Sequence, residues 1–206
     1  MFYTILSIKI SNLMIFMANK IIIVAGLSGA GKTTLLNKLN PGNYKIINIG
    51  TLMKGELSKK GEEINRDTIK KLSNKELSKL RNIVFGRVQK LKSNIVLDTH
   101  ITIESGLGIL PGIPYSTLRF LNNLSALVYI NAPSKDIIKR RNTDKSRNRE
   151  KQDAFNIDMQ RLVDMSTISY YTSHLNISLY VINNKSGCLI ESFKKLQSAI
   201  DNVLGE

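Results

Sequence analysis

Of 206 residues one is a cysteine, Cys188. A single thiol can neither close an intrachain disulfide nor build a cysteine-ligated zinc site, so a metal held here takes oxygen ligands, and the composition fits a reducing cytosol. Acidic residues are scarce too: 16 Asp and Glu stand against 30 Lys and Arg, a formal charge of +14. That excess suits polyanionic ligands, nucleotides or RNA, and equally describes a basic solvated surface. No apolar run reaches the roughly 20 residues of a membrane-spanning helix. The nearest, Met1 to Phe16, is interrupted by Thr4, Ser7, Lys9, Ser11 and Asn12 and lacks the charged start and small-residue cleavage site of a signal peptide. We expect residues 1–16 to be a non-native or disordered extension, Met17 to be the natural start, and residues 17–206 to form a single domain. Internal repeats, heptads and low-complexity linkers are also missing.

The chain does contain a series of short, continuous apolar runs. Lys20 to Ala25, Lys45 to Ile49, Asn94 to Leu97, Ala126 to Ile130 and Ser178 to Ile182 each have the form of a strand buried on both faces of a parallel sheet. Between them lie helical periodicities, such as Lys75 to Leu91, where Leu77, Leu80, Val84, Val88 and Leu91 recur three or four residues apart. Alternating strands and helices predict an α/β fold with a parallel sheet, whose ligands bind at the carboxyl ends of the strands. Two aperiodic stretches, Glu104 to Pro114 and Asn142 to Asp153, are the expected movable parts.

Gly26, Leu27, Ser28, Gly29, Ala30, Gly31, Lys32 and Thr33 match G-x-x-x-x-G-K-[ST], after an expected strand and before an expected helix from about Thr33 to Leu39. Glycines let the backbone wrap phosphate and turn its N–H groups inward. Lys32 adds a charge at the β and γ phosphates, the Thr33 hydroxyl can coordinate Mg²⁺, and the helix points its positive end at the same anion. Asp98, closing the run Ile95 to Asp98, has the form of a second Mg²⁺-holding element. An Asp at a strand end also serves as a cap or turn former. His100, two residues on, has no accompanying nucleophile pattern and its role stays open.

Arg140, Arg141, Arg147, Arg149 and Arg161 form a basic stretch. Planar, bidentate guanidinium groups suit the charge that spreads over the oxygens of a transferring phosphoryl group, and a closing loop would keep water out. The interleaved Lys135, Lys139, Lys145 and Lys151 also fit a solvated basic face or an RNA patch, although base-stacking aromatics are missing from residues 142–153.

Taken in order, Gly26 to Thr34, Asn48-Ile-Gly-Thr51, Asn65-Arg66-Asp67, Asp98-Thr-His100, Leu110-Pro-Gly-Ile-Pro114 and Ser146-Arg147-Asn-Arg149 resemble the archaeal adenylate kinases from about residue 19 onward. The resemblance implies a Mg²⁺-dependent kinase converting ATP and AMP into two ADP. It also implies a three-layer P-loop fold with a five-stranded parallel sheet in the order 2-3-1-4-5 and a short lid. The AMP region would be about 50–92 and the lid about 142–153. Thr51 and Arg66 would serve AMP, although Thr51 reads equally as a helix cap and Arg66 as an exposed charge. Lys32, Arg141, Arg147, Arg149 and Arg161 would act at the transfer site, Thr33 and Asp98 at the metal. Asn183 to Gly187 resembles the loop that packs on adenine and reads equally as a polar turn. The family is often trimeric, and a homotrimer is expected on that ground alone. Unlike some members, this chain has the P-loop lysine, and its lid has no four-ligand zinc insert.

Three other readings compete with this one. A GTPase would need Asn-Lys-x-Asp, and Asn184-Lys185-Ser186-Gly187 lacks the Asp. A kinase for CMP or UMP differs by a few pocket contacts. An ATPase tied to RNA or ribosome assembly would draw on the basic excess; RNA binding is the less favoured partner reading, and no membrane partner is expected.

Overall fold

The computed structural model describes residues 19–59, 69, 72–105, 108–143 and 153–205. The expectations for residues 1–16, for Arg66, Arg147 and Arg149, and for most of the lid lie outside those residues. Five parallel strands form the central sheet: β1 (Ile21–Ala25), β2 (Tyr44–Asn48), β3 (Asn94–Asp98), β6 (Leu124–Asn131) and β7 (Ser178–Asn183). They lie in the order β2-β3-β1-β6-β7, which counted along the sheet's own strands is 2-3-1-4-5.

Alternation along the central strand divides the core into two layers. Ile21, Ile23 and Ala25 pack with α2 (Ile49–Ser58), α3 (Asn74–Gln89) and α6 (Ala154–Leu175), through Met53, Leu80, Val84, Ile168 and Tyr171. Ile22 and Val24 pack on the opposite face with α1 (Lys32–Leu36), α5 (Ser134–Thr143) and α7 (Leu189–Leu204), through Leu35, Ile137, Leu196 and Ile200. Every residue of β1 is fully buried, which is why the run carries no polar alternation.

The helix expected at Lys75 to Leu91 is α3. Its start is set by a capping box: Ser73 Oγ accepts from Glu76 N (3.3 Å) and Glu76 Oε2 accepts from Ser73 N (2.9 Å). Two differences from the expected boundaries bear on the site. Ile49 opens α2 instead of closing β2, because Asn48 caps the helix there. The helix after the phosphate loop is the five-residue α1, followed by single turns to Leu39.

Most of the described residues between Glu104 and Pro114 lie in β-structure. They belong to an antiparallel pair, β4 (Thr102–Ser105) and β5 (Gly108–Pro111), that begins two residues before the stretch and is followed by the short α4 (Tyr115–Leu118). Two long-range bonds anchor it. Thr102 Oγ1 donates to Asp164 (2.5 Å), and Arg81 donates to the Pro111 carbonyl (2.8 Å). Asp164 also accepts from the Tyr129 hydroxyl (2.8 Å), and burial pushes both the Asp164 carboxyl and the Tyr129 phenol up from their ordinary values.

Candidate functional site

Parallel pairing in register brings the carboxyl ends of the five strands to one edge. Val24 lies beside Asp98, Asp98 beside Asn48, and Asn131 beside Asn183. The phosphate loop leaves that edge from β1 and stays close to it: a Cβ on Gly26 would meet the Ile130 carbonyl oxygen at 2.4 Å. At the far end Gly31 takes φ +92° and caps α1 in a left-handed conformation. Lys32 and Thr33 are thereby placed on the first turn of α1. Thr33 and Thr34 are exposed.

Lys32 is buried, and its ammonium pairs with Asp98, which is 5% exposed. A buried pair of this kind is retained only where further hydrogen bonds meet its remaining demands. Asn48 supplies one: its Nδ2 donates to Asp98 Oδ2 (2.6 Å). The same side chain caps α2, its Oδ1 accepting from Thr51 N (2.9 Å) and from the Thr51 hydroxyl (3.2 Å). Thr51 is therefore not the cap of α2; it lies in the first turn, exposed, with Asn48 as cap.

The carbonyls of the phosphate loop are tied from behind. Arg141 Nε donates to the Ser28 carbonyl (2.8 Å), and Arg140 Nη1 donates to the Ala30 carbonyl (3.1 Å) and more loosely to that of Gly29 (3.4 Å). Asn184 Nδ2 donates to Ala30 as well (2.8 Å), while Arg140 Nη2 reaches the Asn184 carbonyl (2.9 Å). One turn earlier on α5, Asp136 accepts from Ser186 N (2.8 Å). That N–H, with the Arg140 and Lys135 charges nearby, holds the Asp136 carboxyl below the usual range. Helix α5 thus joins the phosphate loop to the segment Asn183 to Gly187.

Arg161, on α6, donates to the Ala132 carbonyl (2.7 Å) and the Ser134 hydroxyl (2.9 Å) and pairs with Asp158. It links the two helices that flank residues 144–152. The structure therefore brings Lys32, Thr33, Asp98, Arg141 and Thr51 to one edge of the sheet, with Arg161 two turns into α6. His100 follows Asp98 at that edge. Its carbonyl oxygen lies 2.1 Å from where a Cβ on Gly112 would be, so Gly112 permits the close return of the hairpin.

Four residues take roles here that the sequence reading does not give them: Asn48 and Asp136 have none of their own there, Arg140 stands only as one of the clustered guanidinium groups, and Asn184 only as part of the segment Asn183 to Gly187. Asn48 and Asn184 carry a local signal, each being a polar side chain at or just past the carboxyl end of a strand. Asp136 shows only as an acid on a charged helix, and Arg140 shows as one of the clustered arginines without its tie to the loop carbonyls.

An AAA domain family matches residues 25–158. An adenylate kinase from Thermoplasma acidophilum is 31% identical over 169 residues, covering 80% of this chain and 90% of that protein. Another, from Methanothermobacter thermautotrophicus, is 28% identical over 185 residues, covering 88% of this chain and 100% of that protein. Among solved structures, an Acinetobacter baumannii shikimate kinase in complex with shikimate superposes with a TM-score of 0.56 at 16% identity, covering 91% of this chain and 96% of that one. That likeness speaks for the fold alone.

Proposed function

The chain belongs to the adenylate kinase family, and we propose that it catalyses reversible transfer of a phosphoryl group from ATP to AMP, giving two ADP, in the cytoplasm. The observation that carries this reading is the Asp98 carboxylate, shared by the lysine of the phosphate loop and by the cap of the helix on the proposed acceptor side. Two phosphate-bearing substrates flanking one strand end is the arrangement that in-line transfer requires.

In this reading the ATP phosphates lie against Gly26 to Thr34. The carbonyls of Ser28, Gly29 and Ala30 are bonded to Arg140, Arg141 and Asn184, and Ala30 N donates to the Leu27 carbonyl (3.0 Å), which leaves the remaining N–H groups of the loop to face the anion. Lys32 exchanges its bond to Asp98 for the β and γ phosphates. The oxygen donors Thr33 and Asp98 fit Mg²⁺, which prefers a carboxylate and substrate phosphates to a complete protein cage; among the described residues no cluster of three or more His, Cys, Asp or Glu offers such a cage. When bound, Mg²⁺ would offset phosphate charge during transfer. AMP is received by the region 50–92, with Thr51 and Arg66 toward its phosphate. Arg141, Arg147, Arg149 and Arg161 attend the transferring group as residues 142–153 close and exclude water. The segment Asn183 to Gly187, held by Asp136 and Arg140, is the candidate support for the donor base.

Steady-state transfer from Mg·ATP to AMP, CMP, UMP and GMP, measured in parallel with hydrolysis alone, tests the proposal. Rapid ADP formation with AMP is the expected result. Transfer to CMP or UMP in preference would move the acceptor assignment, and hydrolysis without transfer, stimulated by RNA, would overturn the kinase reading.

A further inference from the structure

The proposed donor and acceptor sides share one unbroken hydrogen-bonded path. It runs from Lys32 to Asp98 Oδ1, from Asp98 Oδ2 to Asn48 Nδ2 (2.6 Å), and from Asn48 Oδ1 to the Thr51 N–H (2.9 Å) and hydroxyl (3.2 Å). Its first two members are buried, and the last lies in the opening turn of α2. One planar amide therefore faces a carboxylate with its NH₂ and caps a helix with its carbonyl oxygen.

From this juxtaposition we propose that Asn48 is a positioning residue that couples the two nucleotide sites, so that donor binding raises acceptor affinity. The inference rests on the donor and acceptor assignment above. In the ligand-free chain Asp98 divides its charge between Lys32 and the Asn48 amide. Donor phosphates compete for Lys32; as they draw it away, one carboxylate oxygen is left for the Mg²⁺ that Asp98 would hold, and the Asn48 NH₂ becomes the protein donor that fixes the other. A charge-assisted bond at one end of an amide polarises it and strengthens the bonds its oxygen accepts. The Thr51 N–H and hydroxyl are then held more firmly, and the first turn of α2 is fixed before AMP arrives. By linkage, AMP must raise donor affinity by the same factor.

A cap-preserving substitution separates this role from simple helix capping. Ser and Asn are about equal as caps, whereas Ala is poor, so Asn48→Ser keeps the cap and removes the amide's bond to Asp98, while Asn48→Ala removes both. AMP binding is titrated calorimetrically with and without a saturating non-hydrolysable ATP analogue, and the analogue with and without AMP. In the wild type we expect the analogue to tighten AMP binding by a factor within the usual allosteric range of about 5 to 150. In Asn48→Ser that factor should fall toward one in both directions, with AMP affinity in the absence of analogue little changed. The KM for AMP at saturating ATP should rise by the lost factor while kcat changes much less. Asn48→Ala should weaken AMP binding under both conditions. Wild-type coupling retained in Asn48→Ser, absence of coupling in the wild type, or equal loss in Asn48→Ser and Asn48→Ala would each overturn the proposal. If the wild type instead transfers to a different monophosphate, the acceptor assignment fails, and the same titration with that monophosphate still decides the role of Asn48.

Discussion

Replacing Gly31 by alanine tests the geometry of the phosphate loop without touching a charged group. At φ +92° an L residue has left the right-handed region, at a cost of about 1–2 kcal/mol. Its Cβ would also sit 2.2 Å from Asn184 Nδ2, so the amide must move off the Ala30 carbonyl it now meets at 2.8 Å. Asn184 is 3% exposed, and a buried polar group left without its partner costs about 1–3 kcal/mol. Gly31→Ala should therefore lose about 2–5 kcal/mol in urea unfolding of the nucleotide-free protein. For a domain of this length that lowers Tm by roughly 4–20 °C. The decisive measurement is the double variant. Asn184→Ala alone should cost about 1–3 kcal/mol, but in its presence the alanine at 31 meets nothing at 2.2 Å, and the lost hydrogen bond is counted once. Gly31→Ala with Asn184→Ala should thus be less unstable than the sum of the single variants by about 1–3 kcal/mol. Additivity within about 0.5 kcal/mol would falsify the contact, leaving backbone strain as the whole effect.

Lys32→Met should leave Asp98 buried without its cation and cost about 3–5 kcal/mol in the nucleotide-free protein, while abolishing measurable ATP binding; adding Asp98→Asn should recover much of the stability and none of the binding, and a Lys32→Met variant as stable as wild type would refute the pairing. Arg140→Met should weaken ATP binding about tenfold or more and leave AMP affinity in the absence of ATP within about threefold, because its bonds go to the phosphate loop and to Asn184; equal losses for both nucleotides would count against this. Arg147→Ala should lower turnover by roughly 10³ to 10⁵ with ATP binding largely kept, and near-normal turnover would sink the lid assignment. Asp164 carries a pH signature. Burial raises its folded pKa above the unfolded value, so its favourable contribution is complete below the unfolded pKa and is lost as pH rises through the folded one. Since asparagine does not titrate, the stability of wild type minus that of Asp164→Asn should fall from about pH 3.5 to pH 7; a difference that rises over that range would contradict the burial argument.

The strands and the phosphate loop were readable because their causes are local. Ile21 to Ala25 is buried on both faces, and an uninterrupted apolar run is the direct consequence. The capping box at Ser73 and Glu76 is likewise a short-range pattern. The hairpin at 102–111 was not readable, because its strands are four residues each and its anchors, Asp164 and Arg81, lie 62 and 30 residues away in the chain. Thr51 was a reasonable cap until the structure showed Asn48 filling that place, and nothing local says that the cap's free NH₂ would meet a carboxylate 50 residues on. Asn184 is further removed still: its bond to Ala30 spans 154 residues. Local pattern fixes an element, and only the sheet order decides which strand ends meet.

The basic excess also takes on a different meaning. On composition alone, 30 Lys and Arg against 16 Asp and Glu point to an external polyanion. Arg140 and Arg141, however, donate to carbonyls of the phosphate loop or its neighbour. A carbonyl accepts a guanidinium N–H without cancelling its charge. Had carboxylates held the back of the loop, its geometry could have been the same and its field close to neutral. Arg140, bonded to carbonyls, brings its positive charge to the back of the loop, so a group that shapes the phosphate cradle also draws the phosphate toward it. The charge that reads from the sequence as a surface for a partner is thus in part the inner frame of the nucleotide site, and the variants that disturb this frame should lose donor affinity before they lose the fold.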